Sequence, residues 1–162
     1  MRSTPVLIGF SAAAALTLAD VSPGLAQKAA YPPISPRQFT SGSIEVTVTG
    51  SEKIKAEIPI NKEASIGDGE MTWLQYGASG SESPNSLITF GQTGEVGVSV
   101  GRGKFGATAG VMPGEKPQCD GKTDVAPTLI SGNYTCRGIT SYDAKAGTMA
   151  KVDIVVRFTA QS

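Results

Sequence analysis

The stretch KVDIVVRFT, residues 151–159, alternates apolar and polar side chains along its length. Its apolar face consists of Val152, Ile154, Val156 and Phe158. The opposite face is charged or hydroxylated apart from Val155. Successive side chains of a strand point to opposite sides of the sheet, so a period of two is typical of a strand with one buried face. The stretch therefore predicts a sheet that is dry on one side only.

Seven further segments have the short, β-branched or alternating character of strands, and glycine, proline and serine separate them. They are residues 43–49, 54–60, 71–76, 87–90, 95–100, 104–109 and 133–139. Pro59 has no N–H to donate, so we expect residues 54–60 to lie at a sheet edge or to end there. Residues 110–128 are predicted to form a long loop, and residues 141–148 a turn. The pattern favours an all-β, antiparallel β-sandwich (Ig-like or jelly-roll-like) of about 7–8 short strands.

The first 26 residues have the layout of a secretory signal peptide. A basic start at Arg2 precedes an apolar run from Val6 to Ala19, and small residues at 24 and 26 suit a signal peptidase. Residues 27–41 hold three prolines and are predicted to form a flexible leader. We expect residues 42–162 to fold as a single domain and the protein to be secreted or periplasmic.

Charge and composition exclude several classes of function. The 162 residues carry 14 basic and 14 acidic side chains, interleaved along the chain, and no histidine. A nucleic-acid partner is not expected, because no basic cluster is present to track phosphates. A histidine-dependent catalytic triad or metal site cannot be built. We expect no cofactor, no metal site, no catalytic residues and no membrane span.

The two cysteines, Cys119 and Cys136, are expected to form a disulfide in an exported chain. The bridge would close a loop of about 17 residues, which corresponds to roughly 3 kcal/mol of stabilisation in the chain-entropy model. Two free thiols are the alternative.

Three short motifs have ordinary structural explanations. Residues 101–106 match GxGxxG by letters, but glycine and proline follow where a dinucleotide site needs a helix. Asp120 and Asp124 flank a glycine and a lysine, with fewer carboxylates than a calcium loop needs. Asn133 begins an N-glycosylation sequon, which matters only in a glycosylating host.

Trp73 and Tyr76 are the candidate ligand-binding residues. They lie three positions apart on one predicted strand and therefore face opposite sides of it. We expect Trp73 to fill the core, as a lone tryptophan in a small β-domain usually does. An exposed aromatic ring beside the polar loop 77–86 could stack on a sugar ring.

Four functional hypotheses follow, and the first is preferred. It is an exported, non-enzymatic binding or assembly module whose partner is an unidentified protein or carbohydrate. The second is a self-assembling, pilus-like subunit that donates the strand at residues 43–49 to an edge of its neighbour and so forms a homo-oligomer. The third is an inhibitor of a secreted enzyme that inserts the loop 110–128. The fourth, least favoured, is a hydrolase with two carboxylates about 5–10 Å apart in a cleft.

Overall fold

A computed structural model describes residues 35–79, 81–111, 116–143 and 147–162. The predicted signal peptide and residues 27–34 of the predicted leader lie outside these ranges. Every regular element within the ranges is a β-strand. The strands are β1 (Arg37–Gln38), β2 (Ser43–Gly50), β3 (Ile54–Pro59), β4 (Ile66–Gly67), β5 (Met71–Tyr76), β6 (Asn85–Gly91), β7 (Val96–Arg102), β8 (Phe105–Val111), β9 (Cys119–Val125), β10 (Leu129–Asp143) and β11 (Thr148–Gln161). Among the described residues, no helix has the length and hydropathy that crossing a membrane requires.

The strands form one antiparallel sheet that curls into a half-barrel, rather than the two layers of a sandwich. Its strand order is β1-β4-β5-β6-β7-β8-β10-β11-β2-β3. β9 is not part of this order and pairs with β10. An isolated bridge between Ile60 and Tyr76 joins the end of β3 to the end of β5. The all-β, antiparallel prediction is confirmed. The sandwich preference arose because alternation shows which face of a strand is buried but not how many sheets share the core.

β10 and β11 are much longer than the sequence pattern predicted. β10 has 15 residues and β11 has 14, and they pair with each other from Leu129–Gln161 to Asp143–Thr148. The register shifts between Cys136 and Ile139, where one extra residue of β10 forms a β-bulge. Gly138 in the bulge has a φ of 63°, a left-handed conformation that suits glycine. Its N–H donates to Asp153 Oδ1 at 2.7 Å, so the strand bends here without ending.

The core lies on the side of the sheet that the alternation predicted. In the segment 151–159, every apolar side chain except Val155 is buried. Ile44, Val46 and Val48 of β2 are buried as well. Two buried tyrosines keep their hydroxyl groups hydrogen-bonded: Tyr134 Oη lies 2.9 Å from Thr123 Oγ1, and Tyr76 donates to the Thr159 carbonyl at 3.0 Å. Such pairing is needed because an unpaired hydroxyl in an apolar core costs free energy.

The N-terminal end of the described chain is packed against the sheet. Phe39 is completely buried, and the Arg37 guanidinium lies 5.0 Å from the centre of its ring. The Arg37 side chain also donates to the carbonyl groups of Ala126 and Pro127. Residues 37–41 thus contact the domain, although the prolines around them predicted a flexible leader.

The disulfide prediction is confirmed, and the bridge joins neighbouring strands. Cys119 of β9 and Cys136 of β10 are direct cross-strand partners with a Cα–Cα distance of 4.0 Å. The long loop predicted over residues 110–128 is therefore wrong at residues 119–125, which form β9. This strand contains Asp, Gly and Lys, which are poor strand formers, and its pairing with β10 overrides their local preference.

The edge position predicted for residues 54–60 is confirmed, because β3 is the last strand in the sheet order. Its outward residues include Lys55 and Glu57, both exposed. Charged side chains and a proline on an edge strand discourage pairing with another chain.

A comparison of Gly138 with Gly106 can measure what the left-handed conformation in the bulge costs a residue other than glycine. An added Cβ would find no atom within 4 Å at either Gly138 or Gly106, but only Gly138 has a left-handed φ. We expect Gly138→Ala to lower the free energy of unfolding by about 1–2 kcal/mol, the cost of this conformation for an L-residue. Gly106→Ala should leave it unchanged or raise it by up to ~1 kcal/mol, because alanine suits a strand better than glycine. Urea denaturation of both variants tests this. Equal losses would contradict the assignment of the cost to backbone conformation.

Candidate functional site

The structure places the two predicted ligand-binding residues on opposite sides of β5, as their spacing predicted. Tyr76 is fully buried, and burial raises the pKa of its hydroxyl above the ordinary tyrosine value. Trp73 is half-buried on the outer face, so the expectation that it fills the core is wrong. The reason is parity: Thr72, Leu74 and Tyr76 point inward, which leaves the odd-numbered positions outside.

Trp73 lies in a small apolar patch near one border of the sheet. Its direct cross-strand neighbours are Ile66 of β4 and Thr89 of β6. Ile66 is 50% exposed. Of the two candidate residues, the aromatic ring outside the core is therefore that of the tryptophan and not that of the tyrosine.

The outer surface of the sheet divides into two parts by charge. The outward residues of β5–β8, which we call the uncharged face, carry no ionisable side chain. They include Met71, Trp73, Gln75, Asn85, Leu87, Thr89, Gly97, Ser99, Gly101, Gly106, Thr108 and Gly110. The outward residues of the other half of the sheet include nine charged ones: Glu45, Lys55, Glu57, Asp120, Lys122, Asp124, Lys151, Asp153 and Arg157. A chain with balanced charge thus has strongly unequal surfaces.

A groove of about 430 Å³ lies where the uncharged face meets β10 and β11. We call it the Tyr142 groove. Residues from five strands line up across it in register, in the order Asn85, Gly101, Gly106, Tyr142 and Met149. Tyr142 is 51% exposed and Met149 is 70% exposed. The groove therefore has a glycine floor and a wall made of one aromatic and one thioether side chain.

Hydroxyl groups form the second side of the Tyr142 groove. Ser99, Thr108 and Thr140 come from β7, β8 and β10 and line it together. Ser99 Oγ and Thr108 Oγ1 lie 3.0 Å apart, and Lys151 Nζ donates to Thr140 Oγ1 at 2.7 Å. With the Asn85 amide, these groups offer both donors and acceptors to a polar molecule.

The position of the Tyr142 groove follows from the sheet topology. β8 pairs with β10 only over Phe105–Ala107 and Ser141–Asp143, and the preceding edge of β10 pairs with β9. The two strands therefore separate beside Thr140. Gly106 adds no side chain at the centre, where an added Cβ would meet no atom within 4 Å.

A second groove, of about 340 Å³, lies on the charged half of the sheet. Asn133, Arg157 and Glu45 are in register across it, and Asp124 is at its β9 border. Asp124 and Glu45 lie on strands three steps apart, which is about 14 Å at the usual strand spacing. That separation exceeds the range of paired catalytic carboxylates, about 5–10 Å. Glu45 does face Glu57 directly across β2 and β3, but both side chains are exposed on the sheet surface.

The other motifs occupy strands and turns. Residues 101–106 form the hairpin between β7 and β8, and no described residue there is helical. Asp120 and Asp124 lie on β9, and Asp124 pairs with Lys122 at 3.0 Å. Within the described part of the chain, no three or more Cys, Asp or Glu side chains are grouped to hold a metal ion.

Two carboxylates near the far end of the uncharged face are engaged in turns. Asp68 accepts hydrogen bonds from the backbone N–H groups of Met71 and Glu70, which lower its pKa. The hydroxyl of Thr93 donates to Glu95, and this bond lowers the pKa of that carboxyl. Both groups are therefore ionised at neutral pH, and neither is placed to act as a general acid there.

Sequence reasoning missed the residues that form the Tyr142 groove. Residues 141–148 have the composition of a turn, but Tyr142 lies on a strand that continues to Asp143. The sequence carried no signal for this continuation, because the inward position 141 is a serine and the outward position 142 is a tyrosine.

Comparisons with protein-family models, with curated proteins and with solved structures give no match, so the geometry alone must support a function.

The structural role of Tyr76 can be tested by removing one oxygen atom. Tyr76→Phe deletes the hydrogen bond to the Thr159 carbonyl inside the core, and we expect a loss of about 1 kcal/mol in the free energy of unfolding. The matched control is Tyr142→Phe, which removes the hydroxyl of a half-exposed ring and should change stability by less than ~0.5 kcal/mol. Thermal and urea denaturation measure both variants. An unchanged stability for Tyr76→Phe would contradict the role given to the buried hydroxyl.

Proposed function

We propose that this chain is an exported, non-catalytic binding module that holds its ligand on the uncharged face, in the Tyr142 groove. Export is supported by the signal-like sequence of residues 1–26 and by the Cys119–Cys136 disulfide, which is compatible with an extracellular or periplasmic location. The observation that carries the proposal is the exposed pair Tyr142 and Met149 beside a groove of about 430 Å³.

The composition of the groove supports binding. Ligand sites are concave, combine apolar side chains with a few polar groups, and usually measure about 300–1,000 Å³. The Tyr142 groove combines two large exposed side chains with the outward hydroxyl groups of Ser99, Thr108 and Thr140 and one amide. Its polar groups come from strands, so the sheet holds them in place before a ligand arrives. Such preorganisation reduces the ordering cost of binding.

The same composition argues against catalysis. Serine and threonine hydroxyl groups become nucleophiles only beside a base. Among the described residues that line the groove, the only ionisable side chain is that of Tyr142, and the neighbouring Lys151 donates to Thr140. The hydrolase alternative would need the charged groove instead, where Asp124 and Glu45 are about three strand spacings apart.

The assembly and inhibitor alternatives have weaker support. β2, the strand predicted for donation, pairs with β11 on one side and with β3 on the other. Donating it to a neighbour would break two ladders of its own domain. In the segment proposed to inhibit an enzyme, residues 119–125 are paired with β10 and held by the disulfide, so they are not a projecting loop.

Blocking the floor of the groove tests the proposal. Gly106→Arg places a long side chain where nothing lies within 4 Å of an added Cβ, so we expect the protein to stay folded and the groove to be filled. The probes are a panel of immobilised neutral and acidic polysaccharides and of soluble peptides. At least one should bind the unaltered protein, and Gly106→Arg should reduce that binding at least tenfold.

The matched control is Thr49→Arg, which adds the same side chain at an exposed outward position of β2. It should bind as the unaltered protein does. Backbone amide shifts followed by NMR during titration should change at Ser99, Thr108 and Tyr142. The proposal fails if no probe binds, or if binding continues unchanged in Gly106→Arg.

A further inference from the structure

We infer that the Tyr142 groove accepts a neutral saccharide, with a sugar ring lying against Tyr142 and its hydroxyl groups bonded to Asn85, Ser99 and Thr108. This inference rests on the proposed function and names its ligand class. It depends on the charge, the shape and the polar groups of this one part of the outer surface.

The first argument is charge. The uncharged face has no ionisable side chain, whereas the other half of the sheet carries at least nine. An acidic polymer or a nucleic acid would be bound through several cations. None of the described residues that line the Tyr142 groove is a lysine or an arginine, and the ammonium group of the neighbouring Lys151 already donates to Thr140. This surface is therefore better suited to an uncharged ligand than to an anionic one.

The second argument is the exposed aromatic ring. Tyr142 is 51% exposed and stands beside a floor formed by Gly106 and Gly101. An aromatic face carries partial negative charge, so it attracts the weakly positive C–H bonds on the flat side of a sugar ring. The missing side chain at Gly106, where an added Cβ would meet no atom within 4 Å, leaves room for that ring to approach. Met149, directly opposite Tyr142 on β11, extends the apolar wall.

The third argument is the set of polar groups. A sugar hydroxyl both donates and accepts hydrogen bonds, as do the side-chain amide of Asn85 and the hydroxyl groups of Ser99, Thr108 and Thr140. Ser99 and Thr108 are in register on neighbouring strands, which lie about 4.8 Å apart, and Asn85 is two residues from the partner of Ser99 on β6. The groove therefore offers a group of two-way partners next to an apolar platform, which is the arrangement that an amphipathic sugar ring needs.

An extended peptide fits this place less well. Peptides that add to a sheet pair with the free edge of a strand. The Tyr142 groove lies on the face of the sheet, where β7 is paired with β6 and with β8. Peptide binding is kept as a competing outcome of the experiment.

The experiment uses the purified protein and an array of neutral oligosaccharides (glucan, xylan and mannan fragments), with polygalacturonate and a proline-rich peptide as competing probes. At least one neutral oligosaccharide should bind, and its affinity should stay constant from about 0.05 to 0.5 M NaCl, because no ion pair contributes. Tyr142→Ala should weaken binding about tenfold, which corresponds to the loss of one ring contact.

Two variants separate stacking from other effects. Tyr142→Phe keeps the ring and should restore the affinity to within about threefold. Trp73→Ala removes an aromatic ring from the same face but outside the groove, and should leave the affinity unchanged. An unchanged affinity in Tyr142→Ala, or equal losses in Tyr142→Ala and Trp73→Ala, would overturn the inference.

The two proposals fail differently. If only polygalacturonate or the peptide binds, with amide shift changes at Ser99, Thr108 and Tyr142, the saccharide inference is wrong and the binding module stands. If no probe on the array changes those amide shifts, both proposals are wrong.

Discussion

The antiparallel ladder between β10 and β11 runs almost the full length of both strands, and the rest of the sheet is attached to its two outer edges. β11 pairs with β2 and so holds the charged end of the sheet, while β10 pairs with β9 and β8. A long strand without a bend would keep these neighbours in one twisted layer. The bulge at Gly138 bends β10 between its contacts with β9 and β8, because one extra residue increases the local twist. The curl of the sheet into a half-barrel is consistent with this bend.

The same bend positions the candidate site. One edge of β10 serves two strands in turn: β9 over Ile130–Cys136 and β8 over Ser141–Asp143. Between these contacts, close to Thr140, the sheet is locally open, and the Tyr142 groove lies beside this opening. The uncharged face of β6–β8 lies on one side of it and Met149 of β11 on the other. The groove is thus a consequence of how the strands share an edge, and not of a loop.

Much of the fold could be predicted from the period of two, which depends only on which face of a strand meets water. It indicated the buried sides of β2 and β11 correctly, and Pro59 indicated the edge position of β3 because proline lacks an N–H. β9 was missed because its residues favour turns and only its partner strand makes it extended. Trp73 was misplaced because the expectation came from side-chain size, whereas Thr72, Leu74 and Tyr76 already fill the inner side of β5. The groove could not be predicted, because its residues come from five strands. Alternation along one strand does not indicate which strands are neighbours in the sheet.

The disulfide has a second consequence besides its effect on the unfolded chain. Cys119 and Cys136 join the first residue of β9 to the residue of β10 that lies just before the bulge. This covalent link holds β9 against β10 up to the point where the edge becomes available to β8. β9 therefore cannot shift along the edge toward Thr140 and close the opening, because a shift in register would separate the two sulfur atoms. Thr140 and Tyr142 follow directly on the other side of the bulge, so the same bridge fixes the border of the groove. An oxidising compartment, in which such a bridge persists, would thus keep β9 in this register beside the groove.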